Sequence, residues 1–152
     1  MRRFVFAGSF DPFTIGHANL VQRGLDVCDE LLLGIGYNEH KPGWIPVEER
    51  VRALQKFYAQ ECRVKVKAYT CLTVDFAKEE NADAILRGVR NMSDFEYEMQ
   101  MADINRRLTG IETILLPAEP QLACVSSSMV RELLHFGKDI TSYLPTGLHY
   151  IV

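Results

Sequence analysis

The sequence predicts one α/β domain built on a five-stranded, mainly parallel, doubly wound sheet. Three observations carry this. Short apolar runs alternate with helical patterns along the whole chain, the signature of βαβ units. Most of the runs are apolar throughout rather than at every second residue, as expected of strands covered on both faces, whereas residues 64–68 alternate valine with lysine. The chain has 152 residues, 47% of them hydrophobic, which is enough for one core without a second domain. Right-handed crossovers then give a doubly wound fold.

Each element has its own signal. Residues 4–7, Phe-Val-Phe-Ala, read as a buried strand. Residues 15–27 read as a helix with Leu20, Val21 and Leu25 on one face. Residues 31–37 form the second strand, and 38–45 a loop broken by Pro42-Gly43. Residues 46–59 are a helix: Pro46 suits its first turn, and Val47, Val51, Leu54 and Tyr58 share a face. Residues 64–68 are the third strand and 73–80 a short helix. The fourth strand, 84–86, ends at Arg87-Gly88. Ser93 and Glu96 fit a capping box that opens a helix running to about Leu108. Residues 113–116 are the fifth strand, 126–136 hold the last substantial helix, and a short helix is expected near Gly147.

Bulk properties narrow the function. A net charge of −3 gives no overall field toward nucleic acid or an anionic membrane, so an anionic ligand must meet a local basic cluster. Cys28, Cys62, Cys71 and Cys124 form no CxxC pair, which leaves no zinc or redox motif and suits reduced thiols in the cytoplasm. The apolar run after Arg2-Arg3 is only a strand long, short for a signal-peptide core, and no run is long enough to span a membrane.

A Rossmann-like fold of this kind binds ligands beyond the carboxyl ends of its strands, at the switch point. The segments there are rich in groups that hold anions. After the first strand come Gly8, Ser9 and Phe10, and then Gly16-His17 at a helix start, where free N–H groups and the helix dipole favour phosphate. Lys41 follows the second strand, Arg87 and Arg90 bracket Gly88-Val89 after the fourth, and Ser126-Ser127-Ser128 open the helix after the fifth. Each has a plainer reading. A helix-start histidine is often a surface residue, a serine run a cap, a lysine beside Pro-Gly solvated, and the arginines structural partners of Glu96 or Glu98. Their shared position after parallel strands favours phosphate chemistry.

Read together, these residues resemble bacterial phosphopantetheine adenylyltransferase over nearly the whole chain. The run from Gly8 to His17 is similar to that family's GTFDP…TxGH signature, which also marks the wider nucleotidyltransferase superfamily. The more specific stretches are Arg87-Gly88-Val89-Arg90 followed by Asp94-Phe95-Glu96-Tyr97-Glu98, and Val125-Ser126-Ser127-Ser128-Met129-Val130-Arg131. Leu72-Thr73-Val74-Asp75-Phe76 and Glu48-Glu49-Arg50 also fit.

The resemblance implies a reaction: ATP and 4′-phosphopantetheine give dephospho-coenzyme A and pyrophosphate, with Mg2+ accompanying ATP and no metal ligands from the protein. It also implies roles. His17 is expected to stabilise the α-phosphoryl group, Ser9 to bond the attacking or α-phosphate, and Lys41 to hold the substrate phosphate. Arg87 is expected on the pantetheine phosphate side and Thr73 on the pantetheine arm. Arg90 would meet the β- and γ-phosphates, with Phe10, Gly88, Val89 and Glu98 near the nucleotide. Leu122, Ala123, Cys124 and Val125 would form part of the nucleotide wall, and Ser126, Ser127 and Ser128 would hold the triphosphate. A cytoplasmic homohexamer inhibited by coenzyme A is implied in the same way, with neither nucleic acid nor membrane as partner.

The chain departs from the family pattern in places. Ser9 stands for the usual Thr, Ala7 for a frequent Pro, and Leu122-Ala123-Cys124 for a Trp-Ser-Phe type of segment. The Lys41 match rests on its spacing from Asn38, because the loop carries an extra residue before Glu48. Two alternatives stay open at this level. One is another adenylyl- or cytidylyltransferase, acting on nicotinamide mononucleotide or glycerol phosphate. The other is a non-catalytic module that senses adenylates, which would have no need of His17.

Overall fold

A computed structural model describes residues 1–151. Five strands, β1 (Arg3–Gly8), β2 (Glu30–Gly36), β3 (Val64–Tyr69), β4 (Ala84–Val89) and β5 (Glu112–Pro117), form one sheet in the order β3-β2-β1-β4-β5. Every neighbouring pair is parallel, so the sheet is wholly rather than mainly parallel. The helices are α1 (Ile15–Gly24), α2 (Val47–Phe57), α3 (Thr73–Glu79), α4 (Met92–Thr109) and α5 (Ser127–His135). Short 3-10 turns cover Pro120–Leu122 and Thr141–Tyr143.

Side chains alternate across a strand, and this divides the core. Phe4 and Phe6 of β1 pack with Leu31, Leu33 and Ile35 of β2 beneath α1 and α2. Val5, Ala7, Leu32 and Ile85 face the other way, onto Val74, Phe76 and Ala77 of α3. Burial on both faces accounts for the uninterrupted apolar runs. Gly34 makes room on that second face for Tyr69 and Phe76, whose rings stack 4.3 Å apart.

The winding reverses between β1 and β4. The ladder there has only the pairs Phe4–Ala84, Val5–Ile85 and Phe6–Leu86, whereas β1 with β2 and β4 with β5 stay paired to their carboxyl ends. The two central strands therefore part beyond Phe6 and Leu86, and a crevice opens at the switch point. Arg87 bridges the gap: its Nη1 donates to Ala7 O at 2.6 Å.

Some ends differ from the sequence expectation. Helix α1 stops at Gly24 rather than residue 27, because Val27 and Cys28 bond back to Gly24 O in a tight turn. Helix α4 begins at Met92, so Ser93 lies inside its first turn. The cap is Asn91, whose Oδ1 accepts from Asp94 N at 2.9 Å, a side chain as effective there as serine. The expected short helix near Gly147 is absent. Gly147 has φ 92, a left-handed turn residue, and the last 3-10 turn lies earlier, at Thr141–Tyr143.

Candidate active site

A cleft of about 450 Å3 occupies the crevice between β1 and β4. Its floor is Gly8, Ser9 and Phe10, its sides are Gly16 and His17 of α1 and Arg87 and Arg90 of the β4 end, and Ser126, Ser127 and Ser128 close it across the top. Segments distant in sequence converge because each lies at the carboxyl end of a parallel strand.

His17 is held in one state. Thr14 caps α1 and its backbone N–H donates to His17 Nδ1 at 2.9 Å, while His17 N bonds back to Thr14 Oγ1. A ring nitrogen that accepts cannot carry the proton, so the hydrogen sits on Nε2. Phe6, Phe10 and Phe13 surround the ring, with centroids 6.1, 5.0 and 5.3 Å away. Burial, then the charges of Arg87 and Arg90, push the pKa down to about 3. His17 is therefore a neutral donor at the edge of the cleft, suited to a phosphoryl oxygen.

Phe10 has φ 47, a strained conformation for a residue with a side chain. Its ring is 1% exposed and anchors the turn, leaving Ser9 exposed at the cleft floor.

The arginines are already partnered. Arg87 donates from Nε and Nη2 to the Glu98 carboxylate, with Nη2 at 2.8 Å. With the Ala7 bond, three of its five N–H groups are used, and one remains on each terminal nitrogen. Glu98, read as a nucleotide contact, is buried against Arg87 and lines the cleft beside it. Arg90 pairs with Asp94 at 2.8 Å and is exposed, and this pairing holds the Asp94 carboxyl below the usual range.

The three serines divide. Ser126 caps α5 through Met129 N, and Ser127 Oγ donates to Pro12 O at 2.7 Å. Ser128 Oγ accepts from Arg131 Nη2 at 3.2 Å, which leaves its own O–H free. The backbone N–H groups of Ser127 and Ser128, in the first turn of α5, have no helical partner.

Leu122 and Val125 line the cleft, whereas Ala123, Cys124 and Val89 do not. Gly88 lines it too, and its missing side chain serves another contact: a methyl there would collide with Leu20 of α1. Lys41 lies outside the cleft, exposed in its loop. Thr73 lines an adjoining hollow of about 220 Å3 with Leu72, Tyr97, Met101, Asn105 and Leu108, and Tyr69 Oη and Thr73 Oγ1 are 2.7 Å apart. Arg87, Tyr97 and Glu98 line both hollows.

Comparison with known proteins settles the family. Residues 5–133 match the cytidylyltransferase-like family model. The chain is 57% identical to a phosphopantetheine adenylyltransferase of Phocaeicola vulgatus, over 97% of this chain and 98% of that one. The chain belongs to the phosphopantetheine adenylyltransferase family. A Bacteroides fragilis member is 56% identical over 97% of this chain and 99% of its own. Among solved structures, a bifunctional NMN adenylyltransferase/ADP ribose pyrophosphatase from Francisella tularensis has a TM-score of 0.70 at 14% identity, over 94% of this chain and 44% of that one. This chain thus spans less than half of that protein, and the likeness is one of fold.

Several further residues of the cleft and its support were given no role from the sequence, although Asp94, Tyr97, Arg50 and Arg131 lie within the family-like stretches. Asn19, Asp94, Tyr97 and Glu119 line the cleft, and Asn19 Nδ2 donates to Glu119 at 3.1 Å. Arg50 and Arg131 hold the backbone of the floor turn, at Ser9 O and Asp11 O, and the Asp11 carboxylate accepts from Trp44 N of the neighbouring loop. Arg50 had a signal: it lies three residues after Val47 and four before Leu54, a charge on an apolar stripe.

Proposed function

We propose that this chain transfers the adenylyl group of ATP to 4′-phosphopantetheine, giving dephospho-coenzyme A and pyrophosphate in the synthesis of coenzyme A. The observation that carries the reading is His17, a neutral Nε2–H donor set at the β1/β4 switch point opposite two arginines. The identity to the curated relatives supports the acceptor.

In this reaction a phosphate oxygen of the acceptor attacks the α-phosphorus of ATP, the bond to the bridging oxygen breaks, and pyrophosphate leaves with its electron pair. The attacking group is already an anion, so no side chain has to take a proton. The difficulty is to bring two polyanions together and to stabilise charge on the phosphoryl oxygens, which is a matter of position and fixed donors. His17 Nε2–H and Ser9 are the donors to the α-phosphoryl group and the attacking phosphate. The two open N–H groups of Arg87 and the Lys41 ammonium hold the acceptor phosphate. Arg90, Ser128 and the α5 N-terminus hold the β- and γ-phosphates. The pantetheine arm runs into the smaller hollow past Thr73.

Mg2+ enters as part of the MgATP substrate and neutralises the triphosphate when bound. Among the described residues no three His, Cys, Asp or Glu side chains converge, and Asp94 and Glu98 pair with arginines; the Mg2+ of MgATP would be held chiefly by the triphosphate oxygens and would offset their charge. A cytoplasmic homohexamer under feedback inhibition by coenzyme A completes the proposal, with neither nucleic acid nor membrane as partner. No helix among the described residues is long and apolar enough to cross a membrane.

A pyrophosphate-release assay tests the reading. Release is expected with ATP, Mg2+ and 4′-phosphopantetheine, and its absence there, with release from nicotinamide mononucleotide or glycerol phosphate, refutes the assignment.

A further inference from the structure

The loop that carries Lys41 is fixed at its far end by one carboxylate. Trp44 N donates to Asp11 Oδ2 at 2.7 Å and Ile45 N to Asp11 Oδ1 at 2.8 Å. Arg50 fastens the same point from below: its Nε donates to Ile45 O at 2.9 Å and its Nη1 to Ser9 O at 2.7 Å. Asp11 is 6% exposed, Arg50 4% and Ile45 0%. The foot of the loop is thus clasped on both sides of Phe10, within the turn that forms the cleft floor. The backbone oxygen of Asp11 also accepts from Arg131 Nη1 at 2.7 Å, and Arg131 reaches Ser128. Between the clasp and Asn38 the hydrogen bonds among the described residues are the loop's own, His40 N to Asn38 Oδ1 and Lys41 N to Asn38 O.

We propose that Asp11 is a positioning residue for adenylyl transfer, setting the place of Lys41 relative to the Ser9–His17 turn. This rests on the reading that Lys41 meets the acceptor phosphate. A carboxylate suits the task because two successive N–H groups need two acceptor oxygens in one plane. Asparagine supplies one oxygen and turns an NH2 toward the other N–H, which leaves a buried donor without a partner. Gly43 belongs to the same device, since a methyl on it would run into Asp11 Oδ2.

The test is a double-mutant cycle of Asp11→Asn with Lys41→Ala, followed by pyrophosphate release. Displacement of a reacting group by about an ångström costs up to about a hundredfold. Asp11→Asn is therefore expected to lower kcat by about ten- to a hundredfold while the KM for ATP stays within about twofold. In the Lys41→Ala background the same change is expected to cost less than about twofold, because its route of action is gone. A separate readout needs no turnover. Trp44 is the chain's single tryptophan, and in substrate-free Asp11→Asn its emission is expected to shift to the red and its anisotropy to fall. Circular dichroism checks the fold, and if Asp11→Asn does not fold, Gly43→Ala is expected to give the same readings. An Asp11→Asn enzyme with the wild-type rate, full additivity with Lys41→Ala, or an unmoved Trp44 signal overturns the proposal alone. Wild-type protein that releases no pyrophosphate overturns the adenylyl-transfer reading and this proposal with it.

Discussion

His17 does two jobs with two nitrogens. Nδ1 closes the start of α1 on Thr14 N, and that bond directs the remaining hydrogen of Nε2 to the ligand side. With a folded pKa of about 3, the ring keeps this state from pH 5 to 8, so kcat is expected to show no titration of His17 there. A two-bond nitrogen–proton NMR spectrum that shows the hydrogen on Nδ1, or an imidazolium above pH 5, contradicts this. Stability carries the same signature. The unfolded ring binds a proton below about pH 6.5 and the folded ring does not. The stability from neutral His17 is complete above that pH and is lost as the pH falls toward 3, at no more than about 1.4 kcal/mol per pH unit. Urea midpoints of wild type and His17→Gln are expected to converge on acidification. For turnover, His17→Ala is expected to lower kcat far more than it raises the KM for ATP, because the Nε2–H bond matters most as charge builds on the phosphoryl group. Equal changes in both would assign His17 to ground-state binding.

At the level of the elements, caps and close approaches explain most of what the residue list leaves open. Ser126→Ala removes the bond to Met129 N and is expected to cost about 1 kcal/mol by urea denaturation. Ser128→Ala leaves the cap intact and is expected to raise the KM for ATP without moving the urea midpoint. Gly88→Ala drives a methyl into Leu20 and is expected to cost about 1–3 kcal/mol from overpacking, which a thermal melt would show. The doubly wound parallel sheet and the convergence of Gly8, His17, Arg87 and Ser128 were legible in the sequence, because apolar runs, helix starts and post-strand positions are local patterns; the strand order β3-β2-β1-β4-β5 was not, since it is set by which strands pair. The α4 cap was not, since Ser93 and Asn91 are both good caps two residues apart, and only the start at Met92 chooses between them. The pairing of Arg87 with Glu98 was open for a similar reason. A helical glutamate eleven positions downstream faces the β4 end only when α4 packs against it at the right rotation, and that is set by tertiary contact. Asp11 was hidden by its own motif, where it reads as part of a turn signature rather than as the holder of a remote loop.

The whole molecule leaves α4 largely uncovered. Glu98 is its single buried residue, while Met92, Tyr97, Met99, Ile104 and Leu108 are each at least 48% exposed. That much apolar surface on one 18-residue helix favours burial against further copies of the chain. Sedimentation is expected to give a species larger than the 17.3 kDa monomer, and Leu108→Lys to shift it toward smaller forms; a wild-type monomer at working concentration would refute this assembly. One pair, Arg87 with Glu98, stands as a party wall between the two hollows. On the proposed placement of ATP and the acceptor, each would press on a group the other also touches. Their affinities are then expected to be linked: whatever factor ATP imposes on the hold for the acceptor, the acceptor imposes on the hold for ATP. Glu98→Gln is expected to change that factor in both directions alike, and titration calorimetry of each ligand with and without a non-reacting analogue of the other measures it.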